Sequence, residues 1–222
     1  MTPQPDRMSR ARDLSAEFVA AGDPTGWFEK LYEEGEAGAS VVPWVQGFAN
    51  PSLVEWASGL DGTGRRALVI GCGTGEDAEF LATLGFAVTG FDLAPTAIAA
   101  AKRLHAGTSV DYQVADLLAL PYAWAGAFDV VFEAYTVQPL FGEVRARALD
   151  ALAGPVAPGG TLLAVSFATI EEDPVRDPAM MPWPLTRAEL DRAGGPLRTI
   201  RIDYSKGGEP FLPRWRGEFR RD

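Results

Sequence analysis

Three alternating glycines close an apolar run. Ala67-Leu68-Val69-Ile70 leads into Gly71-Cys72-Gly73-Thr74-Gly75, and Ala78, Phe80, Leu81 and Leu84 follow at helical spacing. A turn from strand to helix presents backbone N–H groups at a helix N-terminus, and glycines let a ligand come close to the chain. Asp92 stands 21 residues after Gly71 and ends the next apolar run, Phe86 to Phe91. A carboxylate at that strand tip can accept both hydroxyls of a ribose. Asp116 ends a third run, in which Val110, Tyr112 and Val114 alternate, and is placed for the exocyclic amine of adenine. Three successive strand tips therefore offer a cradle for an adenosine. Asp116 also suits a simple turn, and Cys72 a small space-filler.

Two nucleoside cofactors compete for such a cradle. The dinucleotide fingerprint has a further glycine at its sixth position, where this chain has Glu76, followed by Asp77. Two carboxylates at a helix start repel a pyrophosphate. They suit S-adenosylmethionine, which carries a sulfonium and an ammonium and no phosphate. The expected cofactor residues are Gly71, Cys72, Gly73, Asp92, Leu93, Asp116 and Leu117, with Glu133 at the fourth strand tip for the methionine amine or as a plain acidic residue. A nicotinamide or flavin dinucleotide is the alternative.

The elements that must hold these residues follow a strand–helix rhythm. Phe128 to Phe132 reads as the fourth strand, a helix spans about Gly142 to Ala153, Pro158-Gly159-Gly160 turns, and Thr161 to Phe167 is the fifth strand. Runs that are apolar throughout suit parallel strands covered on both faces, so a doubly wound α/β sheet is expected. Before it lie a helix from Ser15, a second carrying Trp27, Phe28, Leu31 and Tyr32, and a third from Pro51 to about Leu60. After it come a long loop from Glu171 to Pro184, a helix announced by Thr186 and Glu189 as a capping box, and a hairpin from Leu197 to Phe219 turning at Lys206-Gly207-Gly208-Glu209-Pro210. The 222 residues thus divide into a helical cover (1–60), a cofactor-binding core (61–170) and a substrate loop, helix and terminal hairpin (171–222) in a single domain. The residues to about Ser9 are expected to be disordered.

The net charge is −10, which disfavours nucleic acid, whose phosphates need a basic face. One cysteine and one histidine exclude a disulfide framework and most metal sites. No apolar run approaches the roughly 20 residues of a membrane span, and the first dozen residues lack a signal peptide's apolar stretch. A cytoplasmic protein, monomer or weak homodimer, without metal, is expected.

Residues Ala67 to Phe167 resemble class I S-adenosylmethionine-dependent methyltransferases, with Ala115-Asp116-Leu117 and Phe128-Asp129-Val130-Val131 as the later motifs. The resemblance implies a seven-stranded sheet of order 3-2-1-4-5-7-6. Trp27 to Tyr32, Pro43-Trp44, Asn50-Pro51 and Arg214-Trp215 further resemble the thiopurine and thiol/halide S-methyltransferase branch. That implies that Trp27 and Trp44 close over the cofactor and that Tyr32 helps shape the acceptor pocket. Tyr135 and Trp183 are expected to face the acceptor, Tyr135 as proton acceptor or pocket wall.

A weak nucleophile needs a general base, commonly histidine. His105 falls at the end of the helix after Asp92, away from the strand tips, where the helix dipole favours it. A small-molecule acceptor that ionises readily, a thiol first, is therefore expected. An O- or N-methyltransferase of a secondary metabolite and a non-catalytic S-adenosylmethionine-binding protein are the alternatives.

Overall fold

The computed structural model describes residues 7–177, 180–207 and 212–222. Seven strands form one sheet: β1 (Arg66–Ile70), β2 (Ala87–Asp92), β3 (Asp111–Val114), β4 (Phe128–Ala134), β5 (Val156–Phe167), β6 (Arg198–Ser205) and β7 (Arg214–Arg220). Their order is β3-β2-β1-β4-β5-β7-β6. β1 to β5 pair in parallel, and β7 pairs antiparallel with both β5 and β6. The expected doubly wound sheet and its strand order are what the chain adopts.

Each face of the sheet is covered, which is why β1 is apolar at every buried position. Leu68 and Ile70 belong to one core with Phe128, Leu149 and Phe219. Ala67 and Val69 belong to the other with Leu81, Ile98 and Tyr112. The covering helices are α3 (Pro51–Trp56), α4 (Glu76–Thr83), α5 (Pro95–Leu104), α6 (Gly142–Ala151) and α7 (Arg187–Gly194). Thr186 and Glu189 make the expected capping box at α7.

Two further helices, α1 (Ser9–Ala20) and α2 (Trp27–Glu36), pack on each other, and α2 packs on α5. α2 is amphipathic and buries Trp27, Leu31 and Tyr32. Trp27 and Leu31 are fully buried, and each contributes roughly 1.5–3 kcal/mol by leaving water.

Three expected boundaries shift. The first helix begins at Ser9 rather than Ser15, because Ala11 and Leu14 are also buried. The third ends at Trp56 rather than near Leu60, and Gly59 just beyond has φ +81°. Pro158-Gly159-Gly160 is not a separate turn but an irregularity within β5, where the pairing slips from Phe128 with Val156 to Val130 with Thr161. A Cβ on Gly160 would lie 2.8 Å from the Phe128 carbonyl oxygen, so only glycine lets the strand close up again there. The outermost strand, β6, is also irregular, with a slip between Thr199 and Arg201. Residues 1–6, expected to be disordered, and most of the 206–210 turn lie outside the described residues.

Candidate functional site

The turn after β1 is held against β2 by two hydrogen bonds, and a third steadies Asp92 from the loop that follows it. The Cys72 N–H donates to the Phe91 carbonyl at 2.8 Å. The Gly73 and Ala94 N–H groups donate to the two Asp92 carboxylate oxygens at 3.0 and 2.9 Å. The three glycines have φ of +61°, +53° and +101°, a left-handed region that suits glycine. A Cβ would lie 2.6 Å from the Thr136 hydroxyl at Gly71, 3.0 Å from the Tyr32 hydroxyl at Gly73 and 2.2 Å from the Tyr112 hydroxyl at Gly75. The third glycine therefore makes room for Tyr112, unlike the sixth-position glycine of the dinucleotide fingerprint.

Asp92 is buried, and burial pushes its carboxyl above the ordinary range while the N–H groups of Ala94 and Gly73 pull it back. The Leu93 N–H also bonds the carboxylate, and of its roughly four acceptor sites at least one stays open for a ligand hydroxyl. Leu93 is half-buried beside it. Cys72 is buried against Gly90 and Tyr112, and burial raises its thiol well above the usual value, in line with a space-filling part. Asp116 is exposed, and its Oδ1 accepts from the Leu118 N–H at 2.8 Å, capping a short 3-10 turn from Leu117 to Ala119.

The other wall comes from the end of β4. Glu133 is buried, and its Oε1 accepts the Thr136 N–H at 2.7 Å. Burial lifts its carboxyl to about 7, against the lowering effect of the Thr136 and Val137 N–H groups and of Arg145. Native protein therefore keeps this proton to higher pH than unfolded chain does. The stability it contributes is full below about pH 4.5 and is lost as pH rises from there through about 7. Glu133→Gln is expected to flatten the fall in urea-unfolding free energy between pH 5 and 8 by about 1–2 kcal/mol. An unchanged slope would show that the carboxylate is already compensated.

Tyr135 sits in a left-handed conformation, φ +64°, which is uncommon for a residue with a side chain. Its ring lies 5.0 Å from that of Phe167. Its hydroxyl meets the side chains of Asn50 and Arg214, which lower the phenol's pKa, but burial dominates and keeps it above the ordinary value. Register places Arg214 beside Phe167. Asn50 is fixed in turn by its N–H to Asp77 Oδ1 at 2.6 Å.

The cover completes the site. Tyr32 is buried over Gly73, and its hydroxyl accepts from Trp44 Nε1 at 2.8 Å. Glu29 of α2 accepts both the Thr96 N–H at 3.0 Å and the Thr96 hydroxyl at 2.6 Å, docking α2 on the start of α5. Trp27 lies one layer back. It stacks on Phe28 at 3.9 Å and meets the edge of Trp44 at 6.1 Å. Trp183 packs with Trp27, Leu31 and Met181, and its Nε1 donates to the Asp177 carbonyl at 2.8 Å, so it anchors its loop. The structure thus joins Gly73, Asp92, Tyr32 and Trp44 directly, while Trp27 and Trp183 support the cover.

One placement is corrected. His105 is not remote from the glycine turn: its Nε2 lies 2.9 Å from the Thr74 carbonyl oxygen. Asn50, Thr136, Tyr112 and Arg145 were also not anticipated at the site. Asn50 carried a usable signal, since it caps α3 by accepting the Ser52 N–H at 2.9 Å. The contacts of the other three span distant parts of the chain.

Residues 68–164 match the family described as a methyltransferase domain. The chain is 36% identical over 131 residues to the ubiquinone biosynthesis O-methyltransferase of Bordetella avium (strain 197N), covering 56% of this chain and 52% of that one. It is 41% identical over 85 residues to that of Xanthomonas axonopodis pv. citri (strain 306), covering 37% and 36% respectively. The chain thus spans about half or less of the length of these relatives. A structure from work on the conversion of a disulfide bond into a thioacetal group during echinomycin biosynthesis superposes with a TM-score of 0.68 at 26% identity, covering 88% of this chain and 92% of that one. The N-methyltransferase NodS of Bradyrhizobium japonicum WM9, in complex with S-adenosylhomocysteine, superposes with a TM-score of 0.65 at 21% identity, covering 87% and 98%. The match to a methyltransferase domain thus falls on the sheet from β1 to β5 and includes the glycine turn and Asp92. Among the described residues no helix is long and apolar enough to cross a membrane, and no group of three or more His, Cys, Asp or Glu is placed to hold a metal ion.

Proposed function

We propose that this chain transfers a methyl group from S-adenosylmethionine to a small, largely apolar acceptor, with sulfur as the receiving atom. One observation carries the cofactor half of this reading: the glycine turn is closed on Asp92, while Glu76 and Asp77 open α4 where a diphosphate would need positive charge. When bound, the cofactor supplies an electrophilic methyl group on a sulfonium. The chain's own residues bind and orient it. Asp92 accepts the ribose hydroxyls, Asp116 with Leu93 and Leu117 takes the adenine, and Glu133 faces the ammonium. Tyr32 and Trp44 exclude water. Alignment and dryness supply much of the acceleration in such a displacement.

The acceptor half rests on the engagement of His105 and Tyr135, the two groups expected to be able to take a proton. The Nε2 of His105 is engaged by the Thr74 carbonyl, beneath the turn. Tyr135, its phenol held above the ordinary value, stays protonated near neutral pH and acts as a hydrogen-bond donor. An acceptor that arrives already ionised fits both facts. The loops at the strand ends expose Phe48 (58%), Phe141 (51%), Ile170 (77%) and Leu212 (53%), an apolar rim suited to an apolar molecule. The resemblance of Trp27, Trp44 and Arg214-Trp215 to the thiol/halide branch supports sulfur. So does the structural neighbour linked to disulfide-to-thioacetal conversion, whose likeness runs over nearly the whole chain. A second reading, methylation of an acidic hydroxyl, is favoured by the ubiquinone O-methyltransferase relatives, whose likeness covers about half of it.

A thiol and a phenol of matched size, assayed with methyl-labelled cofactor at pH 7.5, separate the two. At that pH roughly 10% of an ordinary thiol is ionised and well under 1% of a phenol. The thiol is expected to show at least about tenfold higher kcat/KM. Turnover of the phenol alone selects the hydroxyl reading. Binding of S-adenosylhomocysteine with no turnover of any acceptor removes the enzymatic one.

A further inference from the structure

Beneath the glycine turn, on the side away from the cover, three side chains with acid–base chemistry meet without any part in the transfer. The Tyr112 hydroxyl donates to Glu79 Oε1 at 2.7 Å and also lies 3.3 Å from the Gly75 carbonyl oxygen. The second oxygen of Glu79 accepts the Thr108 hydroxyl at 2.9 Å, and that hydroxyl accepts the Val110 N–H at 3.1 Å. The His105 ring stacks on Tyr112, centroids 6.4 Å apart and planes at 22°. Its Nε2 reaches the Thr74 carbonyl oxygen at 2.9 Å. The connection runs from β3 and the end of α5 into the first turn of α4, with Tyr112 buried at its centre.

We infer that His105, Tyr112 and Glu79 are positioning residues for the cofactor: they hold the Thr74 and Gly75 carbonyls to the rear of the turn. In a trans peptide the C=O and the following N–H point in opposite directions. With the Gly75 carbonyl drawn toward Tyr112, the Glu76 N–H is turned forward into the trough. With the Thr74 carbonyl drawn toward His105, the Gly75 N–H is left to close the turn on the Cys72 carbonyl, at 2.9 Å. The Glu79 N–H shares the Gly75 carbonyl at 2.9 Å, so loss of the brace is felt most at the Thr74 carbonyl, which can then turn toward the ligand. Gly75, which shares the Thr74 peptide, offers little torsional resistance to that movement beyond its own N–H bond to Cys72. The same geometry explains the third glycine, since a Cβ at Gly75 would strike the Tyr112 hydroxyl and crowd His105.

This inference rests on the proposed binding of S-adenosylmethionine at the turn. The test is calorimetric titration of S-adenosylhomocysteine into the intact protein and into His105→Ala, His105→Gln and Tyr112→Phe, with thermal midpoints measured in parallel. His105→Ala is expected to weaken binding about tenfold and Tyr112→Phe about fivefold, the loss of one positioning hydrogen bond each. Under saturating cofactor, kcat and the acceptor KM stay near those of the wild type. His105→Gln, whose amide nitrogen can donate where Nε2 does, is expected to recover to within about twofold. Equal affinity in His105→Ala, Tyr112→Phe and wild type overturns the brace. So does His105→Gln as impaired as His105→Ala, which would reveal only lost packing. Should His105→Ala fail to fold, Tyr112→Phe, which keeps the ring, decides alone. Absence of any binding heat with the wild type is the distinct result that removes the cofactor reading itself, and the brace with it.

Discussion

Asp92→Ala is expected to weaken S-adenosylhomocysteine binding by about 2–3 kcal/mol, roughly 30- to 150-fold. Two losses add. The ribose hydroxyls lose a charged acceptor, and hydrogen bonds to charged groups are the stronger kind. The N–H groups of Gly73 and Ala94, now bonded to the carboxylate at 3.0 and 2.9 Å, also lose theirs. Buried N–H groups without partners are costly, so the turn itself loosens. Asp92→Asn separates the two effects. It keeps the side-chain volume and one oxygen and is expected to give about half the loss in free energy. Calorimetric titration of all three proteins checks this. If Asp92→Ala binds as tightly as wild type, the ribose lies elsewhere.

Arg145→Met is expected to destabilise the fold by about 3–4 kcal/mol. For a domain of this size that lowers the thermal midpoint by roughly 6–16 °C. Arg145 is buried in α6, where it donates to Glu189 at 2.6 Å and to the carbonyls of Gln138, Trp183 and Pro184 at 3.1–3.4 Å. A linear thioether supplies none of these donors. Glu189 keeps its contact with Arg176 at 2.7 Å, so the stranded carboxylate is only partly compensated. Arg145→Met with Glu189→Gln is expected to recover part of the loss, because no unpaired charge is left behind. Both the loop after β4 and the Trp183-Pro184 stretch hang on this one guanidinium, so the proposed methyl transfer is expected to suffer along with stability. A loss below about 1 kcal/mol would show that water reaches those carbonyls.

What could be read from the chain beforehand was local. The run Ala67 to Ile70, the glycines after it and Asp92 at the next strand tip are set by short-range geometry, and they appear where their spacing places them. The same holds for Thr186 and Glu189, whose capping box needs only four residues. The features that escaped notice depend on contacts between distant segments. Arg145 looks like any charged residue on a helix until the 181–185 segment folds over it. His105 looks like a helix end until its ring is seen on Tyr112. Tyr135 carries no glycine-like signal for its left-handed backbone, and its meeting with Asn50 and Arg214 joins three separate stretches. The slip at Gly159-Gly160 was hidden because a Pro-Gly-Gly string reads as a turn wherever it occurs.

The slip in β6 bears on how this protein behaves in a crowded solution. A sheet margin offers a row of unused amide and carbonyl groups that any passing extended chain can zip onto. Here that margin is broken between Thr199 and Arg201 and studded with Arg198, Arg201 and Asp203. An incoming strand would find its ladder out of step after two residues and ionic side chains in its way. The architecture thus terminates itself, and polymerisation through this border is discouraged without a cap or a second subunit.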